Sequence, residues 1–148
     1  MERYQRICLF LGIVLLTAGC SDDLRFINVA PTVTSIGPIV PHDDQTMRVF
    51  LTIQDFESDP VDISVTASDP DGNEVETNVV PGEGHGVVGL TSSPDLPGTL
   101  HEVVIEVNPQ DGPLSITVTP DDYEGGPGRP IVTPEFVFSE GLTEPFIP

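Results

Sequence analysis

The feature that most restricts how this chain can fold is a two-residue alternation of apolar and polar side chains. Met47, Val49, Leu51 and Ile53 alternate with Arg48, Phe50, Thr52 and Gln54, and Val61, Ile63, Val65 and Ala67 alternate with Asp62, Ser64, Thr66 and Ser68. Farther on, His101, Val103, Ile105 and Val107 oppose Glu102, Val104, Glu106 and Asn108, and Leu114, Ile116 and Val118 oppose Ser115, Thr117 and Thr119. A period of two sends successive side chains to opposite faces of an extended strand. One apolar and one polar face per strand suits an antiparallel sheet with one side wet. Helical periodicity is missing from every candidate window, and the 16 prolines interrupt nearly all of them.

Turn chemistry sits where these runs stop. Asp69-Pro70-Asp71-Gly72-Asn73 has Pro to preset φ and Gly for the left-handed position, and Asn108-Pro109-Gln110-Asp111-Gly112-Pro113 repeats it. The pattern predicts strands near 32–36, 46–54, 61–68, 73–80, 86–91, 99–107, 114–119 and 131–138. The segment 86–91 reads equally as a glycine-rich loop. An all-β sandwich over residues 31–138 follows, with 139–148 a short tail. Leu51, Ile63, Val65, Ile105, Ile116 and Val118 are expected in its core.

The N-terminus is an address. Arg3 and Arg6 precede an unbroken apolar run from Ile7 to Leu16, followed by Thr17-Ala18-Gly19-Cys20. Charged, apolar and small-residue regions in that order make a secretory signal. The run falls short of the ~20 apolar residues needed to cross a bilayer. Leu16-Thr17-Ala18-Gly19-Cys20 resembles the lipobox of bacterial lipoproteins. The resemblance implies lipid on the Cys20 thiol, cleavage after Gly19 and acylation of the new amino terminus. Several acyl chains on one residue make a stable membrane anchor, where one chain holds marginally. Cys8 leaves with the signal (1–19) and Cys20 is consumed, so the mature chain has no free thiol. Residues 20–30 become the lipidated cysteine and its tether. By the same resemblance, Ser21 directs the protein towards the outer membrane or cell surface.

Charge narrows the partners. Asp and Glu number 24 against 5 arginines, for a net charge of −19. Nucleic-acid footprints are basic, so that class of partner is excluded. Adsorption to an anionic membrane surface is excluded on the same ground.

Thr52-Ile53-Gln54-Asp55-Phe56-Glu57-Ser58-Asp59-Pro60-Val61-Asp62-Ile63, the Asp71-Gly72 turn and Gly89-Leu90-Thr91-Ser92-Ser93 occupy the middle of the chain. This segment resembles immunoglobulin-like or fibronectin-III-like modules of secreted bacterial proteins. Thr117-Val118-Thr119-Pro120-Asp121-Asp122 and Pro134-Glu135-Phe136-Val137-Phe138 continue it in the same order. Ile105-Glu106 stands where that pattern often has Trp-Asp. In immunoglobulin lettering the predicted strands become A, B (46–54), C (61–68), C′ (73–80), E, F and G. Modules of this kind share a fold and an extracytoplasmic setting but no activity.

Chemistry is sparse by comparison. Carboxylate pairs such as Asp43-Asp44 arise from abundance alone, and turn acids are normally solvated rather than poised for catalysis. His42, His85 and His101 lack metal-ligand spacing, and Ser92-Ser93 lacks a nucleophile context. The sequence therefore points away from an enzyme. Calcium is the one constellation with an argument. An immunoglobulin-like fold brings its B–C and F–G loops to one end, and with them Asp55, Glu57, Asp59, Asp121, Asp122 and Glu124. A hard cation with oxygen ligands would relieve their repulsion. The ordinary reading, that acids favour turns and keep edges soluble, stands beside it. The function expected is a lipid-anchored, non-catalytic module that binds an envelope protein or glycan, or acts as a spacer. The alternative is an accessory subunit of an envelope enzyme or transport system using the acidic loops as a metal site.

Overall fold

The computed structural model describes residues 28–43, 45–108, 112–139 and 142–145. Cys20, Gly19 and the rest of the signal lie outside them, as does most of the second turn, 109–111. The described residues form ten strands and no helix. One sheet contains β1 (Thr32–Pro41), β2 (Thr46–Gln54), β6 (Thr99–Val107) and β5 (Thr77–Gly84), in the order β1-β2-β6-β5. The other contains β10 (Leu142–Pro145), β9 (Phe136–Ser139), β7 (Pro113–Asp121), β3 (Asp62–Ser68) and β4 (Glu74–Val75), in that order. A further short strand, β8 (Ile131–Val132), also pairs with β7. All the strand pairings are antiparallel.

The alternation sets the core. Met47, Val49, Leu51 and Ile53 on β2 are fully buried, as are Val103, Ile105 and Val107 on β6. From the opposite sheet, Ile63, Ala67, Leu114, Ile116 and Val118 join the same cluster. Each large side chain taken fully out of water contributes about 1.5–3 kcal/mol. Val65 is half-buried at the margin of this cluster rather than enclosed by it. Val104 departs from the alternation in the other direction: it sits on the outer face of β6 and is nonetheless buried.

Besides the first strand, which runs past the predicted 32–36 to Pro41, four predicted segments differ from the structure. The expected single strand at 73–80 is divided between the two sheets. Glu74–Val75 pairs with β3, and from Thr77 onward the chain pairs with β6. Val75 is buried in the core while Glu76 stays exposed, and the crossing is closed by the Thr77 hydroxyl donating to the Val75 carbonyl at 2.9 Å. The segment 86–91 is a loop with one isolated bridge, Leu90 to Val61. Gly86 and Gly89 have φ of 72° and 64°, a left-handed backbone that interrupts regular strand pairing. The predicted strand 131–138 is broken in two. Thr133 still exchanges bonds with Ile116, donating its N–H at 2.9 Å and accepting on its hydroxyl at 2.9 Å. Pro134 then has no N–H to continue the ladder. Finally, the expected tail 139–148 contains β10, which folds back on β9.

Candidate functional site

Strand directions place three loops at one pole: 55–61 after β2, 85–98 before β6, and 122–130 after β7. The bridges Gln54–Ser93, Val61–Leu90 and Asp121–Pro127 close the strands there. The first and third loops are each organised by an aspartate of their own. Asp55, 1% exposed, accepts from the Asp59 N–H at 2.7 Å and from the Glu57 N–H at 3.5 Å. Its loop is fastened to the neighbouring one by Ser92, whose hydroxyl donates to the Asp59 carbonyl at 2.8 Å and reaches the Asp55 carboxylate at 3.5 Å.

Asp122, also buried, braces the third loop by accepting from the Glu124 and Gly125 N–H groups at 3.1 and 2.8 Å. Its other oxygen accepts from the Asn28 side-chain amide at 3.0 Å, which draws the start of the described chain onto the same pole. There Gly125 and Gly128 lie so close to the backbone of Val29, Ala30 and Pro31 that a Cβ on either would fall within 3.0 Å of it. Asp62, at the start of β3, joins two loops by accepting from the Gly89 N–H and the Tyr123 hydroxyl, both at 2.7 Å. That bond to a carboxylate raises the Tyr123 phenol above its ordinary pKa.

The calcium expectation meets a different arrangement. Among the described residues no group of three or more His, Cys, Asp or Glu side chains is placed to hold a metal ion. Asp55 and Asp122 turn inward to satisfy backbone donors of their own loops. Asp121 accepts from the Tyr123 N–H at 2.8 Å, and Glu57 and Glu124 are exposed. Asp55 thus caps the Asp59 N–H four residues ahead in its own loop. At the opposite pole Asp69 accepts from the Asn73 side-chain amide and N–H at 2.8 Å each, which lowers its pKa. Asp43, bonded by the N–H groups of Gln45 and Thr46 in the β1–β2 turn, is lowered likewise.

With the acids braced, the loop pole displays apolar side chains instead. Of eight large hydrophobic residues exposed among the described residues, four lie on these loops, Phe56, Val88, Leu96 and Tyr123, and two lie beside them, Val29 before β1 and Leu100 near the start of β6. Leu96 is 77% exposed, Tyr123 75% and Phe56 65%. The other two, Val40 and Val132, lie on β1 and β8. Sequence reasoning missed this surface because its members are scattered over some hundred positions and each alone looks like an ordinary loop residue.

A histidine pair underlies the second loop. The His85 and His101 rings meet edge to face with centroids 5.3 Å apart and their Nδ1 atoms at 3.3 Å. His101 Nε2 lies 2.7 Å from the Thr91 carbonyl, which only accepts, so that nitrogen carries a proton. Neutral His101 then offers Nδ1 as an acceptor to His85. His85 Nδ1 also lies 3.3 Å from the Glu102 N–H, and it cannot donate to one and accept from the other at once. Burial, with His85 adding to it, lowers the His101 pKa below the ordinary 6.5. Beyond the pair, Arg48 bridges to Glu102 at 3.2 Å and His42 to Glu83 at 2.8 Å.

A separate apolar groove of about 660 Å³ runs between Ser35–Ile39 of β1 and residues 131–136. The register of β1 slips just before this stretch, between Val33 and Ser35, and again within it, where its pairing with β2 skips from Ile36 to Ile39. Comparison of the chain with protein-family models, with curated proteins and with solved structures finds no match.

Proposed function

We propose that this protein is a lipid-anchored, non-catalytic β-sandwich module of the bacterial cell envelope, which uses its loop pole as a binding surface. The observation that carries the reading is that pole: its three loops carry four exposed apolar side chains, Phe56, Val88, Leu96 and Tyr123, with Val29 before β1 and Leu100 near the start of β6 exposed beside them. Apolar patches of that kind mark interaction surfaces, because a soluble surface gains nothing from keeping them in water. Loops held by buried aspartates also lose little conformational freedom when they bind. The extracytoplasmic setting rests on the sequence, through the signal ending at Cys20 and the export-favouring Ser21. An immunoglobulin-like assignment is supported by the strand order. With β1, β2, β3, β4, β5, β6, β7 and β9 lettered A, B, C, C′, D, E, F and G, the sheets read A-B-E-D and G-F-C-C′.

The test is the intact mass of full-length protein expressed in a Gram-negative bacterium and extracted from its envelope. Loss of residues 1–19 with an acylated Cys20 is expected, and Cys20→Ala should abolish the acyl mass and leave the membrane fraction. Wild-type protein that retains Met1, or is cut elsewhere without lipid, overturns the anchored reading.

A further inference from the structure

The end of the molecule that carries the apolar loops is also the end at which the chain enters the fold. Asn28 is bonded to Asp122 within the pole, and Val29 is itself one of the exposed residues. Eight peptide steps separate Asn28 from Cys20. At full stretch, at ~3.3–3.6 Å per residue, they span about 26–29 Å. The nine-residue strands β2, β6 and β7 make the sandwich itself about 30 Å long, before the loops at either end are added. An anchor at Cys20 therefore cannot let the molecule stand with its opposite pole against the bilayer. The tether would have to exceed its fully extended length.

Polarity agrees with that geometry. Among the described residues, the two turns at the opposite pole that are built on Asp43 and on Asp69–Asn73 contain none of the exposed large hydrophobics, Val40 at the end of β1 being the one that borders them. Phe56, Val88, Leu96 and Tyr123, by contrast, project from the three loops nearest the anchor. Aromatic and aliphatic side chains carried on a polar body settle at the boundary between headgroups and acyl chains. We infer that the occupant of the loop pole is the surface of the bilayer that holds the Cys20 lipid, with Phe56, Leu96 and Tyr123 entering the interface. The inference rests on the anchored reading above. The surface is zwitterionic, since the processed chain, with 23 acids against 3 arginines, is repelled by anionic headgroups.

The chain contains no tryptophan, so one introduced indole reports alone. Full-length protein is produced as the single variants Phe56→Trp, Leu96→Trp and, at the opposite pole, Gln45→Trp. Acylation is verified by intact mass and folding by melting temperature, and Val88→Trp replaces a loop variant that melts early. Each is reconstituted into phosphatidylcholine vesicles with and without bromine on the acyl chains. Leu96→Trp and Phe56→Trp should shift to the blue and lose about half their emission to bromine, as expected of rings about 5–10 Å into the interface. Gln45→Trp should be unaffected. If acylated protein shows no quenching at either loop position, or shows it at Gln45→Trp, the bilayer is not the occupant, and the pole is left for an envelope protein or glycan. Unacylated protein would overturn both this inference and the reading beneath it.

Discussion

Replacing Asp55 by alanine separates a structural brace from a metal ligand, because the two roles give opposite signs. The carboxylate is 1% exposed and accepts from the Asp59 N–H at 2.7 Å. Its contacts with the Glu57 N–H and the Ser92 hydroxyl, both 3.5 Å, are at the outer limit of hydrogen bonding and add little. Truncation removes one bond to a charged acceptor, worth about 1.5–3 kcal/mol, and leaves a part-buried N–H without its partner. Relief from holding a buried carboxylate offsets some of that, so a net loss of about 2 kcal/mol is expected. For a domain of roughly 120 residues this lowers Tm by about 6–12 °C. Asp55→Asn keeps an acceptor oxygen without the charge and should cost about half as much. Glu57→Ala, at an exposed position, should stay within ~0.5 kcal/mol of wild type. The assay is urea unfolding in EDTA, with the slope required to match between variants so that the midpoint reports stability. Were Asp55 one of a cluster of repelling carboxylates awaiting a cation, its removal in EDTA would stabilise the fold. A change within ~0.5 kcal/mol of zero, or a gain, would refute the bracing argument.

Ile116 is fully enclosed by both sheets, so Ile116→Ala should cost about 2–5 kcal/mol in the same assay, while exposed Val132→Ala should cost under ~0.5 kcal/mol. His101 has a lowered pKa in the fold, so the folded state binds fewer protons than the unfolded chain. Its contribution to stability is present above the ordinary 6.5 and is lost as pH falls below that towards the folded value. Thermal melts between about pH 7.5 and 5 should show that loss, and His101→Gln should flatten the slope; an unchanged slope would remove His101 as its source. Calcium chloride at ~10 mM should raise Tm no more than sodium chloride of equal ionic strength, since either salt screens the chain's self-repulsion. A calcium-specific rise that Asp121→Asn abolishes would restore the acidic loops as a cation site.

Period-two alternation determined the faces of the strands from the sequence alone, because consecutive side chains of an extended backbone must point opposite ways. It therefore identified Leu51, Ile63, Ile105, Ile116 and Val118 as core, and the Asp69–Asn73 turn by its residue chemistry. Alternation is silent about which neighbour a strand pairs with. Glu74–Val75 and Thr77–Gly84 read as one strand, and only competition between two sheet edges divides them between β3 and β6. The same limit hid β10, whose partner β9 supplies the order that its own residues do not signal. At the loop pole the sequence located the acids but not their work. An aspartate's role depends on which donors surround it, and the fold surrounds Asp55 and Asp122 with their own loops' N–H groups. Phe56, Leu96 and Tyr123 are far apart in sequence, and they share one pole only because antiparallel pairing returns their three loops to the end at which β1 begins.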